Sequence, residues 1–210
     1  MPPILRNTGF TSAAAALQFY EQRQTVIANN LANASTTGFK GALHFARMAD
    51  DAVIAGKTVT DRAQGTVSPT RNPLDLAIMG EGAFVVQTPD GERLLRGGPL
   101  RLDAARRLVT SDGFPVLGPI VVPPGEIGIA ADGTLTVAPP MTDAAAGEQG
   151  ARAPRDRAID VLRLERLPAG ELRHAGRGLY VPGAVRETLP MAERGVRQGA
   201  LEDSNVEPMT

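Results

Sequence analysis

The residues able to do chemistry are few and scattered. The 210-residue chain holds two histidines, His44 and His174, and no cysteine. Disulfides, thiolate metal sites and thiol nucleophiles are therefore excluded. Neither histidine sits in an HExxH pattern or beside a carboxylate cluster, so no catalytic zinc site is expected and both read as plain surface or loop residues. Asp75, Glu81, Asp90 and Glu92 could in principle supply the two carboxylates of a glycosidase, which need only the right separation in space. All four fall beside turn signals, which favours solvated structural roles. "MGEGAF" and "RGGP" lack the Walker lysine and the GxGxxG spacing before a helix, so no phosphate cradle is expected. There is no GxSxG nucleophile elbow. The expected catalytic, cofactor and metal residues are none.

Bulk composition narrows the partners. Lys+Arg is 22 against Asp+Glu 23, and the only lysines are Lys40 and Lys57. A near-neutral chain is a poor electrostatic binder of nucleic acid or of anionic membrane. Aromatics are 4% of residues with no tryptophan, so stacking platforms for bases or sugars are scarce. No apolar run reaches the ~18 residues of a membrane span. Ala14-Ala15-Ala16 could mimic a cleavage site, but Asn7, Thr8, Gly9, Thr11 and Ser12 interrupt the opening stretch, so cleavage of a signal peptide is not expected.

The elements that carry these residues come in two grammars. Residues 10–34 read as one helix. Phe10, Ala13, Leu17, Tyr20, Gln24, Ile27, Leu31 and Ala34 recur at alternating spacings of three and four, an a/d seam with one polar member, Gln24. So narrow a stripe suits a partner helix better than a broad core. Gly38 is expected in the left-handed region at the helix foot. Residues 40–72 lack a clear period and read as an extended connector, with room for a short helical turn in "HFARMADDAVIAG". From Leu74 the pattern is β: "LDLAIMG", "AFVVQT", "PLRLD", "RLVTS" and "FPVLG" are short strands between Gly, Pro and Asp turns. "EIGIAADGTLTV" is a hairpin with Ile127, Ile129, Leu135 and Val137 inward. Residues 139–157 read as a mobile loop. "AIDVLRLERL", with Ile159, Val161, Leu164 and Leu167 on one face, and "LYVPG" add strands. The expected class is mainly β with an N-terminal α-helix: an antiparallel β domain inserted after a coiled-coil-type helix and a connector.

The run "VIANNLANASTTGFKG" resembles the N-terminal signature of the bacterial flagellar axial proteins of rod and hook. Asn29, Asn30, Leu31, Ala32, Asn33, Ser35, Thr36, Gly38, Phe39 and Lys40 fit that assembly motif position by position. "NPLDLAIMGEGAFVVQTPDGERLLRGG", "LVTSDGFPVLGP" and "GEIGIAADGTLTV" are similar to successive β segments of the family. Gly199, Leu201, Glu202, Ser204, Asn205 and Val206 fit the segment that leads into its C-terminal helix. The short stretch after Lys40 and the single modest β region fit the proximal rod type, then the distal rod type. Two departures stand out. An aromatic-Thr-Arg run is here Leu94-Leu95-Arg96. A turn glycine is replaced by Arg106, where positive φ would cost about 1 kcal/mol, so a different turn is expected.

The resemblance implies four regions: residues 1–39, axial helix and motif; 40–72, connector; 73–186, antiparallel β domain; and 187–210, a return segment. The chain stops at Thr210, so the family's C-terminal helix is expected to be absent, by truncation or because its partner comes from elsewhere. Without that partner the seam residues would be exposed, and the helix would be mobile or pack on the connector or a neighbour. The implied function is a non-enzymatic structural subunit of the flagellar rod. Its expected partners are itself, other rod subunits and the flagellar export apparatus. It would leave by type III export without a cleaved signal and stack helically in the periplasm; no nucleic acid, membrane insertion or small-molecule substrate is implied. Alternatives are a distal rod or hook-type protein, a periplasmic cell-wall hydrolase using Asp75 and Glu81, or a β-type binding module. Asn29 and Asn30 lie off the seam, a turn inside the helix, and are expected to bond to adjacent subunits.

Overall fold

The computed structural model describes residues 8–49, 52–117, 121–138, 157–167 and 172–207. The expected mobile loop at 139–157 lies outside the described residues, apart from Arg157.

Helix α1 runs Thr8–Ala32, two residues short of the expected end. Its interior is built from Ala and long side chains with no proline, which favours helix. The periodic seam is not the face it buries. Phe10, Leu17, Tyr20, Ile27 and Leu31 stay 48–72% exposed. The flanking side carries Phe19, which is buried, with Val26 and Asn30 half-buried. That side packs on the stretch read as a connector, which folds as an antiparallel hairpin of β1 (Ala42–Ala49) and β2 (Ala52–Thr60). The helical turn considered there is absent: strand pairing from Ala42↔Thr60 onward takes up the backbone donors instead. Phe19 stacks on His44 with ring centroids 5.0 Å apart. Gly56 makes room for that ring, since a Cβ there would lie 2.2 Å from His44 Nε2.

The rest is antiparallel β structure, as its turn-rich pattern predicts. A four-stranded sheet orders β15 (Val196–Gln198), β4 (Asp75–Ile78), β7 (Gly97–Leu102) and β8 (Leu108–Thr110). A five-stranded sheet orders β12 (Leu164–Arg166), β5 (Gly82–Thr88), β6 (Gly91–Leu95), β14 (Leu179–Tyr180) and β13 (His174–Gly176). A three-stranded sheet orders β11 (Arg157–Val161), β10 (Thr134–Ala138) and β9 (Glu126–Ile129). Their inward faces meet in one core through Leu76, Ile78, Phe84, Leu135, Leu162 and Leu164. Ile129 and Val137 join it with Ile127 at its margin, the alternation their sequence implies. A last pair joins β16 (Ala200–Glu202) to β3 (Val67–Pro69).

Two expectations need correction. "FPVLG" forms isolated bridges rather than a strand, Val109↔Pro115 and Val86↔Val116; Pro115 has no N–H to give a ladder. Arg106 does adopt positive φ, 58°. Asp103 holds the turn, its carboxylate accepting from the N–H groups of Ala105 (2.9 Å) and Arg107 (2.8 Å). The Arg106 side chain then donates to Val122 O at 2.5 Å and Pro123 O at 2.8 Å. These bonds offset a backbone cost of about 1 kcal/mol.

Candidate functional site

The N-terminal motif and the return segment come from opposite ends of the chain and meet in one buried knot. It begins at the foot of α1. Asn33 Nδ2 donates to Asn29 O (2.9 Å) and Asn29 Oδ1 (3.1 Å), and Thr36 Oγ1 donates to Asn33 Oδ1 (3.2 Å). These side-chain bonds reinforce the last turn, where Asn29 O also accepts from Asn33 N–H at 3.2 Å. Gly38 then reverses the chain at φ 67°, as expected for a left-handed residue. A Cβ on it would lie 3.0 Å from Arg96 Cβ.

Past the reversal, Phe39 and Lys40 turn inward. The Phe39 ring stacks on His174 at 4.6 Å, and His174 lies tilted against Tyr180 at 4.8 Å. Tyr180 accepts from the Lys40 N–H (2.8 Å) and donates to Gly38 O (3.1 Å). Burial pushes the Tyr180 hydroxyl well above the phenol range, so it remains a donor. Burial also lowers the imidazole of His174, favouring its neutral form.

At the centre lie three charged side chains: Lys40 and Arg96 at 1% exposure and Glu202 at 0%. Lys40 Nζ donates to Glu202 Oε1 (2.5 Å) and Ala63 O (2.7 Å). Arg96 Nη2 donates to Glu202 Oε2 (3.0 Å) and Ile78 O (3.0 Å). Arg96 Nη1 reaches Gly80 O and Gly82 O at 2.5 and 2.6 Å. Gly65 N–H also donates to Glu202 Oε1 (3.1 Å), and Gly38 N–H to Glu202 O (2.7 Å). Desolvation lowers the Lys40 ammonium, opposed by its bond and its attraction to Glu202. Three residues on, Asn205 Oδ1 accepts from Gly41 N–H (2.7 Å) while its Nδ2 donates to Asp61 O and Ala63 O, both 3.1 Å. Asn205 N–H returns to Phe39 O at 3.2 Å.

Of the motif residues, Gly38, Phe39 and Lys40 enter the knot, joined by Glu202 and Asn205 of the return segment. Ser204 Oγ accepts from Val206 N–H (3.2 Å) and shapes that segment, and Gly199 takes φ 69°. Ala32 and Ser35 are exposed, as are the seam residues Ala13 and Gln24, while Ala34 and Leu201 are half-buried. Asn30 corrects an expectation. Its amide is already engaged inside the chain, donating to Ala42 O (2.7 Å) and accepting from Ala42 N–H (2.9 Å), so it clamps α1 to β1. Both histidines were expected to be plain surface residues, yet each stands in an aromatic stack. Arg96, His174 and Tyr180 carried no site signal in the sequence, because nothing local marks residues so far from Lys40.

Three of the four carboxylates considered for hydrolysis are paired within the chain, and the fourth, Asp90, is exposed in a turn. Asp75 is buried and accepts from Asn72 Nδ2 (2.7 Å). Glu81 pairs with Arg166 (3.6 Å), and Glu92 with Arg163 (3.8 Å) and Arg186. Among the described residues no group of three or more His, Cys, Asp or Glu could hold a metal. The knot's chemistry is that of a structural junction, because its three charges are paired with one another and with backbone carbonyls, leaving, among the described residues of the knot, only Arg96 Nε and His174 Nε2 buried without a hydrogen-bond partner.

A helix with an exposed seam, tied by its foot to an antiparallel β domain through a Gly-Phe-Lys turn, is the arrangement that the resemblance to flagellar axial proteins implies. A model described as "Flagella basal body rod protein" matches residues 10–40. Another, "Flagellar hook protein FlgE/F/G D1 domain", matches residues 77–137. The chain belongs to the flagellar basal-body rod protein family. It is 35% identical over 224 residues to the flagellar basal-body rod protein FlgF of Salmonella typhimurium, covering 95% of this chain and 83% of that one. Against FlgF of Escherichia coli K12 it is 35% identical over 217 residues, 94% and 82% of the two chains. FlgG of Buchnera aphidicola (Schizaphis graminum) is 35% identical over 139 residues, 53% of this chain and 54% of its own.

Proposed function

We propose that this chain is a structural, non-enzymatic subunit of the flagellar rod, of the FlgF kind, that stacks helically with itself and with other rod subunits in the periplasm. The observation that carries this reading is the division of one helix between two jobs. One face of α1 packs on its own hairpin through Phe19 and Asn30, while the a/d seam from Phe10 to Leu31 stays open. A helix held rigidly at its foot, with an unfilled seam, is shaped to join a bundle of other helices. The motif from Asn29 to Lys40 and the return segment from Gly199 to Val206 act in this reading by fixing the angle between helix and β domain. Delivery by the flagellar export apparatus without a cleaved signal completes it. The test is deletion of the gene, scored for swimming and for rods in isolated basal bodies. Loss of both, restored by the wild-type chain, is expected; intact rods and normal swimming would overturn the reading.

A further inference from the structure

The knot unites residues that a chain made or threaded N-terminus first brings out at very different times. Lys40 and Glu202 are 162 positions apart, and Arg96 and Glu202 are 106. Until Glu202 arrives, Lys40 and Arg96 lack the buried carboxylate that bonds to both, with only the weaker attraction of Asp61 acting on Lys40, and burying two such cations side by side is strongly unfavourable. The same segment closes two sheet edges: Val196–Gln198 pairs with Ile78–Leu76, and Ala200–Glu202 with Pro69–Val67. Asn205 then fills the donors and acceptors of Gly41, Asp61 and Ala63.

We propose that residues 196–206 are a latch on which closure of the whole β domain depends, so that the helix foot, the β core and the return segment open and close as one unit. Glu202 is the bolt: among the described residues it is the one carboxylate that pairs with both buried cations. A chain lacking this segment keeps Lys40 and Arg96 in water and the β4 edge unpaired. Folding is thereby timed to the arrival of residues 196–206. This inference stands apart from the rod reading and would hold for the subunit in dilute solution.

Hydrogen exchange on the full-length chain tests it. The amides of Gly38, Gly41 and Gly65 report on the latch, since each donates to Glu202 or Asn205. Those of Val85 and Leu100 report on the core, bonded to Arg163 O and Leu74 O. In Glu202→Gln all five are expected to lose protection together, by roughly a hundredfold to several thousandfold. Asn205→Ala, a milder loosening that keeps the fold, is expected to lower all five by about tenfold. If either variant loosens Gly38, Gly41 and Gly65 while Val85 and Leu100 keep wild-type protection, the segment is a local staple and the proposal falls.

Discussion

Two regions of this molecule invert the usual rule of burial. On α1, large apolar side chains face water: Phe10 is 72% exposed, and Leu17 and Leu31 are each 66%. At the knot, three charged side chains are sealed from water within a few ångströms of one another. The ordinary arrangement would put the leucines inside and the charges outside. The contrast teaches what each surface is for. Exposed apolar area stores association free energy, roughly 25 cal/mol per Å² once another helix covers it. A buried ion cluster adds little net stability against an apolar substitute, but tolerates only one set of partners. The helix is therefore open to a neighbour, while the knot is closed to everything except its own chain.

That contrast can be broken from the knot first. Replacing Glu202 by Gln leaves two buried cations without a counter-charge and should cost about 3–5 kcal/mol in chemical denaturation. Lys40→Met should cost less, because it leaves Arg96 and Glu202 as a matched pair. A double-mutant cycle should show the Glu202→Gln loss shrinking in the Lys40→Met background. Equal losses in both backgrounds would mean that the two side chains do not act together.

Tyr180→Phe should follow, at about 1–3 kcal/mol, since it strips a partner from both Lys40 N–H and Gly38 O in a buried place. A neutral result would mean that water replaces the hydroxyl.

Acidification gives a smaller effect with a defined sign. Burial between Phe39 and Tyr180 holds the His174 imidazole below its ordinary value of about 6.5. The unfolded chain therefore takes up the proton first. The contribution of His174 is complete above about pH 6.5 and is lost as pH falls below it, by at most about 1.4 kcal/mol per pH unit. His174→Phe should flatten the stability profile between about pH 6.5 and 5.5; an unchanged slope would assign it to other groups.

The smallest effect is expected at the seam. Leu17→Asp should move the denaturation midpoint of the isolated subunit by no more than about 0.5 kcal/mol equivalent, because that side chain is already 66% exposed. The same variant should fail to restore swimming in a deletion strain. A large loss of stability would show that the seam is packed in the free subunit.

Much of this was legible from local pattern. The α1 seam, the Gly38 reversal, the 126–138 hairpin and the antiparallel class all follow from periodicities of 3.5 and 2 and from turn chemistry. These are properties of neighbouring residues, so one strand of text carries them. The hairpin at 42–60 was not legible, because it gains much of its order from α1 through Phe19, His44 and Asn30. The Arg106 turn was misread for a related reason: bonds to Val122 O and Pro123 O hold a conformation that local propensity disfavours.

By itself, the sequence determined which apolar residues form a stripe along the helix, where the chain reverses, and which family motifs the chain carries. Tertiary structure alone decided that the two motifs touch. No local signal links Lys40 to Glu202, or either to Arg96 and Tyr180, since a charge carries no mark of its partner until folding removes the water between them. Burial then converts four ordinary side chains into one site, because in a low-dielectric interior each charge and donor must be met by a particular neighbour or pay the full cost of losing its hydration.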